Sequence, residues 1–104
     1  MTIPVFRVDS FAVPPEAREP FLAMVRATDE VLRQQPGFIR HVILERAEGE
    51  GRFNIATVAE WQDMAFIPPA RAAVARLHAS LPVSPQDFVR IAGIEAHFGL
   101  YHPA

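Results

Sequence analysis

FIRHVILERAEGEGRFNIATVAEW, residues 38–61, decides the fold. FIRHVILERA (38–47) and RFNIATVAEW (52–61) are rich in β-branched and aromatic residues, and Gly49-Glu50-Gly51 lies between them. Two extended runs joined by a glycine turn predict an antiparallel hairpin. The second run ends on Trp61, the chain's one tryptophan. Trp61 is either a core plug with its indole N–H satisfied nearby or one wall of a pocket.

Upstream of the hairpin, IPVFRVDSFA (3–12) reads as a strand that stops at Pro14-Pro15. PEAREPFLAMVRATDEVLRQQ (15–35) opens with proline and acids, as helix N-termini do. Phe21, Met24, Val25, Thr28 and Leu32 make one helical face, and Pro36-Gly37 ends it. Downstream, Asp63 is a predicted N-cap, and Phe66, Ala70, Ala73, Val74, Leu77 and Leu81 form a second stripe. Pro68-Pro69 interrupts that stripe. The expectation is a short turn at 64–67, a main helix restarting near Pro69, and a break that widens the mouth of any cleft there. SPQDFVRIAG (84–93) is a compact helix with Ser84 as cap, Pro85 at the first position, Asp87 completing a capping box and Gly93 as stop. IEAHFGLY (94–101) is the last strand.

The order is βαββαβ with a small extra helix before the last strand, an α+β, ferredoxin-like arrangement in which both helices cover one face of an antiparallel sheet. The length of 104 residues predicts one domain, spanning 1–104. A sheet covered on one face should alternate apolar and polar residues. Here both faces are apolar. Phe38, Val42 and Leu44 oppose Ile39 and Ile43, while Phe53, Ile55, Ala59 and Trp61 oppose Ala56 and Val58. Ile94, Ala96, Phe98 and Leu100 oppose His97 and Tyr101. Covering the second face is worth about 1.5–3 kcal/mol per large side chain buried. A second copy of the sheet does this, so a homodimer is expected. His41, between Ile39 and Ile43, is placed on that interface face as a satisfied histidine.

Composition excludes several classes. Hydrophobic residues make up 50% of the chain and the formal net charge is −2, with no basic stripe, so neither nucleic acid nor an anionic membrane is an expected partner. No apolar run reaches the roughly 18 residues of a membrane helix. All ten cationic residues are arginine and there is no cysteine, which removes lysine Schiff bases, thiolate nucleophiles, disulfides and cysteine-ligated metals. MTIPVFRVDSF lacks the basic and apolar regions of a signal peptide, so the expected location is cytoplasmic. No histidine pair has a ligand spacing, so no metal site is expected. No nucleophile elbow, P-loop or dinucleotide glycine motif occurs, so no flavin or nicotinamide cofactor is expected either.

LRQQPGFIRHVILE followed by RFNIATVAEW, a helix and a closing strand resembles the antibiotic biosynthesis monooxygenase (ABM) superfamily over residues 3–101. The PGF motif and the tryptophan that closes the third strand carry the resemblance. It implies a dimeric α+β barrel with a pocket between helices and sheet in each subunit. Members include oxygenases that hydroxylate aromatic polyketides without metal or flavin, haem-degrading proteins and quinol oxidisers. On this resemblance Trp61, Thr57 and His78 are the candidate catalytic residues. Phe21, Met24, Phe66, Arg71 and Leu77 are candidate lining for a small aromatic or hydrophobic molecule, with Arg71 available to an anionic group.

Two departures shape the expectation. The polyketide-oxidising members carry asparagine four residues before the tryptophan, where this chain has Thr57, whose hydroxyl offers one donor instead of two. Haem-degrading members use an asparagine in the first strand and a histidine about ten residues after the tryptophan; here the first strand has none, the tenth residue is Arg71, and His78 comes about two turns later. Haem degradation is not expected, and the expected function is a cofactor-independent monooxygenase acting on a small aromatic or polyketide-like substrate. The alternative is a non-catalytic dimeric barrel that binds a small hydrophobic molecule. Sedimentation equilibrium at micromolar concentration should give twice the chain mass of 11.6 kDa; a single species of chain mass would remove the barrel.

Overall fold

The computed structural model describes residues 2–104. Strand β1 (Val5–Ala12) leads through a 3-10 turn at Pro15–Ala17 into helix α1 (Arg18–Leu32). Strands β2 (Phe38–Glu45) and β3 (Ile55–Trp61) follow, then a 3-10 turn at Met64–Phe66, helix α2 (Ile67–Ala79), helix α3 (Pro85–Ala92) and strand β4 (Glu95–Tyr101). The sheet is antiparallel throughout, in the order β2-β3-β1-β4. This is the ferredoxin-like α+β arrangement the element order predicts.

Local signals explain the boundaries. Asp63 caps the 3-10 turn by accepting from the Ala65 N–H at 2.8 Å. Pro68 and Pro69 lie in the first turn of α2, where N–H groups have no intrahelical acceptor. They therefore delete no bond, and the helix starts at Ile67, ahead of the expected restart near Pro69. Ser84 accepts from the Asp87 N–H at 3.1 Å and Gly93 takes the left-handed stop at φ 71°. The reciprocal half of the expected capping box is missing, because the Asp87 carboxylate accepts from Arg90 instead. The hairpin turn expected at 49–51 is wider: β2 and β3 separate after the Glu45–Ile55 pair. Arg46 then bridges the loop with its N–H on the Asn54 carbonyl and its guanidinium on the Phe53 carbonyl.

One irregularity sets the faces of β2. Phe38 pairs with Trp61 and Arg40 with Glu60, so Ile39 is the extra residue of a β-bulge. Strict alternation puts Phe38 with Val42 and Leu44. The bulge instead turns Phe38, His41 and Ile43 toward the helices and leaves Val42 and Leu44 on the outer face.

The helix-facing layer holds two separate apolar clusters. One gathers Phe11, Val13, Ala17, Phe21, Leu22, Ile55 and Ile94. The other gathers Val5, Ala59, Trp61, Ile67 and Ala70, with Phe38 and Phe66 packed against it. The Phe38 and Trp61 rings meet edge to face at 5.7 Å, a contact worth about 0.5–1.5 kcal/mol beyond the area buried. On the outer face Val42, Leu44 and Tyr101 are exposed, as is the bulge residue Ile39.

Gly37 connects α1 to β2 at φ +81°, and a Cβ there would lie 2.1 Å from the Phe66 ring. Gly51 also has positive φ, at +95°, but opens onto empty space. Both alanine variants incur the left-handed penalty of about 1–2 kcal/mol. Only Gly37→Ala also displaces an aromatic ring, so in urea titrations it should be less stable than Gly51→Ala by about 1–3 kcal/mol. Equal midpoints would contradict the packing of Phe66 over this turn.

Candidate functional site

Between the two clusters the helix-facing side of the sheet is polar. Along β1 the inward positions read Val5, Arg7, Asp9 and Phe11: a charged pair between two core residues. The Arg7 Nε donates to Asp9 Oδ1 at 2.6 Å, and the guanidinium lies 5.0 Å from the centre of the Phe98 ring. Cross-strand register puts Thr57 opposite Asp9 and Ala59 opposite Arg7. On the other side of β3, Ile43 faces Thr57 and His41 faces Ala59.

A cavity of about 510 Å³ lies over this strip. Ala59 forms its floor, with no side chain beyond Cβ to fill the space. Trp61 and Phe11 bound it along the sheet; Phe21, Met24 and Thr28 line it from α1; Ala70, Arg71 and His78 line it from α2. Phe98 and Leu100 of β4 and Val89 of α3 form the remaining side. Trp61 and Thr57 are both buried.

The structure thus brings together six of the eight residues singled out from sequence: Trp61, Thr57, His78, Phe21, Met24 and Arg71. Phe66 and Leu77 lie outside the lining. Phe66 is turned onto Gly37 and the cluster behind Trp61. Leu77 is half-buried on α2 away from the cavity. The proline pair does not widen the cavity mouth through lost hydrogen bonds, because none is lost. His41 is on the cavity side and not on the outer face, because of the bulge at Ile39. Arg7 and Asp9 were missed. Their signal was an Arg-x-Asp pair sharing a face with Val5 and Phe11.

The titratable groups have different surroundings. Burial pushes the Asp9 carboxyl above its ordinary 3.8, against the hydrogen bond and charge of Arg7. Desolvation pushes the His78 imidazole below its ordinary 6.5 and favours the neutral ring, whose Nε2 lies 3.4 Å from the Thr28 hydroxyl. His41 Nδ1 lies 2.7 Å from Asp29 Oδ1, and Arg33 Nε donates to Asp29 Oδ2 at 2.8 Å. Among the described residues no group of three or more His, Cys, Asp or Glu side chains is arranged to hold a metal ion. Among the described residues no helix is long and apolar enough to cross a membrane.

A helical layer on a four-stranded antiparallel sheet defines a ferredoxin-like α+β subunit. The chain belongs to the antibiotic biosynthesis monooxygenase family, whose sequence pattern matches residues 4–75. Its fold is shared with a Shewanella loihica PV-4 protein at TM-score 0.76 and 20% identity, over 100% of this chain and 97% of that one. It is shared also with SnoaB, a cofactor-independent oxygenase from Streptomyces nogalater, at TM-score 0.68 and 21% identity, over 99% of this chain and 95% of that one. Rv0793 from Mycobacterium tuberculosis matches at TM-score 0.68 and 16% identity, over 97% of this chain and 95% of that one. Comparison with curated protein sequences gives no match.

His78 makes the site sensitive to pH. The unfolded chain protonates this residue as pH falls through 6.5, whereas the folded chain resists until its lower pKa is reached. Its contribution to stability is therefore lost across that interval as pH falls. In a ring-proton NMR titration His78 should have its midpoint below 6.5, and in His78→Gln the acid-side fall in melting temperature should be shallower. A midpoint at or above 6.5 would place the ring in water.

Proposed function

We propose that this protein is a homodimeric, cofactor-independent monooxygenase acting on a small electron-rich aromatic molecule bound in the cavity. The carrying observation is a polar strip of Arg7, Asp9 and Thr57 across the sheet floor of a mainly apolar pocket beside Trp61. An anthrone or hydroquinone is planar and apolar but acidic at one C–H or O–H, and this pocket matches both properties.

The reaction needs no resident redox group, because the substrate is the reductant. Loss of the acidic proton leaves an electron pair on the substrate, and dioxygen accepts electrons from that anion. A methylene between two aromatic rings then becomes a carbonyl: the CH₂ group and O₂ give C=O and H₂O. The protein's task is to exclude water, stabilise the anion and hold the proton. In this reading Trp61 packs on the aromatic face and Thr57 Oγ1 donates to the oxyanion. Arg7 and Arg71 lend positive charge, and neutral His78 lines the helix side. Phe21 and Met24 supply apolar wall.

The homodimer is part of the proposal. Val42, Val58 and Val8 lie in one row across the outer face, beside Leu44 and Ala56, and a second copy would cover them. A second reading, a non-catalytic barrel that binds a hydrophobic molecule, is favoured by one residue: Thr57 stands where polyketide-oxidising relatives carry asparagine.

Oxygen uptake over a panel of anthrones and hydroquinones, with chelator present and flavin removed by dialysis, distinguishes the two. Uptake that falls about 100-fold in Thr57→Val, and also falls in Trp61→Phe while the dimer persists, supports the oxygenase. Binding of the panel without uptake by the wild-type protein supports the second reading.

A further inference from the structure

The geometry points to His41, positioned by Asp29, as the group that removes the substrate's proton. This deepens the function proposed above by naming the base of that site.

Three groups lining the cavity can accept a proton: Asp9, His78 and His41. Burial raises the Asp9 carboxyl, but its Oδ1 is already taken by the Arg7 Nε donor at 2.6 Å, which ties the group to β1 and leaves one oxygen free. His78 is oriented only by the long 3.4 Å contact of its Nε2 with the Thr28 hydroxyl, whose own hydrogen goes to the Met24 carbonyl. His41 is fixed. Its Nδ1 lies 2.7 Å from Asp29 Oδ1, Arg33 Nε donates to the other Asp29 oxygen, and Arg33 Nη2 donates to the His41 carbonyl at 3.3 Å.

The chain of contacts settles the tautomer. Burial alone would raise the Asp29 carboxyl, but the hydrogen bonds from Arg33 and His41 outweigh it and hold the group below its ordinary value. Asp29 is therefore an ionised carboxylate and can only accept. Nδ1 must carry a hydrogen, so in the neutral ring the lone pair is on Nε2. That nitrogen has no hydrogen-bond partner among the described residues. No buried side-chain nitrogen or oxygen there is both sealed and without a partner, so Nε2 keeps some accessible surface, and His41 lines the cavity.

Position completes the argument. His41 faces Ala59, whose inward neighbours on β3 are Thr57 and Trp61. A ring lying over Ala59 meets Trp61 at one end and Thr57 at the other, with His41 beside it and Arg7 opposite. In the step itself the substrate C–H or O–H bond breaks, its proton passes to His41 Nε2, and its electron pair stays on the substrate. The imidazolium is then stabilised by Asp29 from α1 and by Asp9 from β1, against the opposing charges of Arg7 and Arg33.

The test uses 4-nitrophenol, whose ionised form absorbs at longer wavelength, added to the intact protein at a pH where the free phenol is protonated. The wild-type protein and the exposed-site control His102→Gln should bind it as phenolate. His41→Gln should lose that band, and Asp29→Asn, which unfixes the tautomer, should weaken it with the near-ultraviolet circular dichroism retained. With an anthrone that wild type oxidises, His41→Gln should lower kcat about 100-fold or more and abolish the acid limb of the pH profile. A phenolate band that persists in His41→Gln, or a phenol bound protonated by wild type, overturns the assignment. A wild-type protein that ionises nitrophenol through His41 but takes up no oxygen with any substrate upholds the dyad and removes the oxygenase reading.

Discussion

A charged pair in the middle of a core strand governs this structure. Arg7 and Asp9 face the helices between Val5 and Phe11, where a simple two-layer fold would place two more apolar side chains. Moving either charge out of water costs several kcal/mol unless it is paired. Their 2.6 Å contact offsets part of that cost, and the neighbouring polar groups Thr57 and His41 keep apolar side chains from closing over them. The core is therefore divided into two clusters, one anchored by Phe21 and Phe11, the other by Val5 and Trp61. The cavity is the gap between them. It is a consequence of where polarity was placed on β1, β2 and β3, and needs no distortion of the sheet.

Most of the fold was legible because its signals are local. Ser84, Asp63 and Gly93 act through bonds or dihedrals within a few residues of themselves, and each does in the structure what its position predicts. The helical stripes were legible for the same reason: Phe21 and Ala70 are buried where a period of 3.6 places them. The turn ahead of the proline pair was legible too: a 3-10 turn at Met64–Phe66 precedes a helix that starts at Ile67, so the pair falls in the turn that has no bonds to lose. One feature escaped. The bulge at Ile39 has no glycine or proline to mark it. It follows from aligning β2 with β3, a non-local fact.

The site was less legible, and the misses share a cause. Trp61 and Thr57, singled out by the resemblance, both line the cavity because alternation along β3 is unbroken and puts them on one face with Ile55 and Ala59. Phe66 and Leu77 share helical stripes with cavity residues, but a stripe is wider than a pocket, and stripe membership does not say which side chains fill space and which border it. Phe66 has a separate task, covering a glycine that could be no other residue without moving it. Arg7 and Asp9 were readable in principle. Two charges on the inward positions of an otherwise apolar strand are expensive unless something is made of them.

The single inserted residue at Ile39 ties the two faces of the sheet together. Side chains alternate with a period of two, so one extra residue reverses every later side chain relative to those before it. Without the bulge, a β2 that kept Phe38 against Trp61 would carry Val42 and Leu44 inward and turn His41 out. The cavity would lose its best-oriented imidazole, Asp29 and Arg33 would lose their partner across from α1, and the outer row would carry His41 in place of Val42 beside Val58. With the bulge, all three requirements are met by one strand. Phe38 packs on Trp61, His41 reaches the carboxylate of α1, and Val42 joins Val58 and Val8 outside. The polar cavity and the apolar outer face are thus two outcomes of the same register, and a change that repaired the bulge would disturb both together.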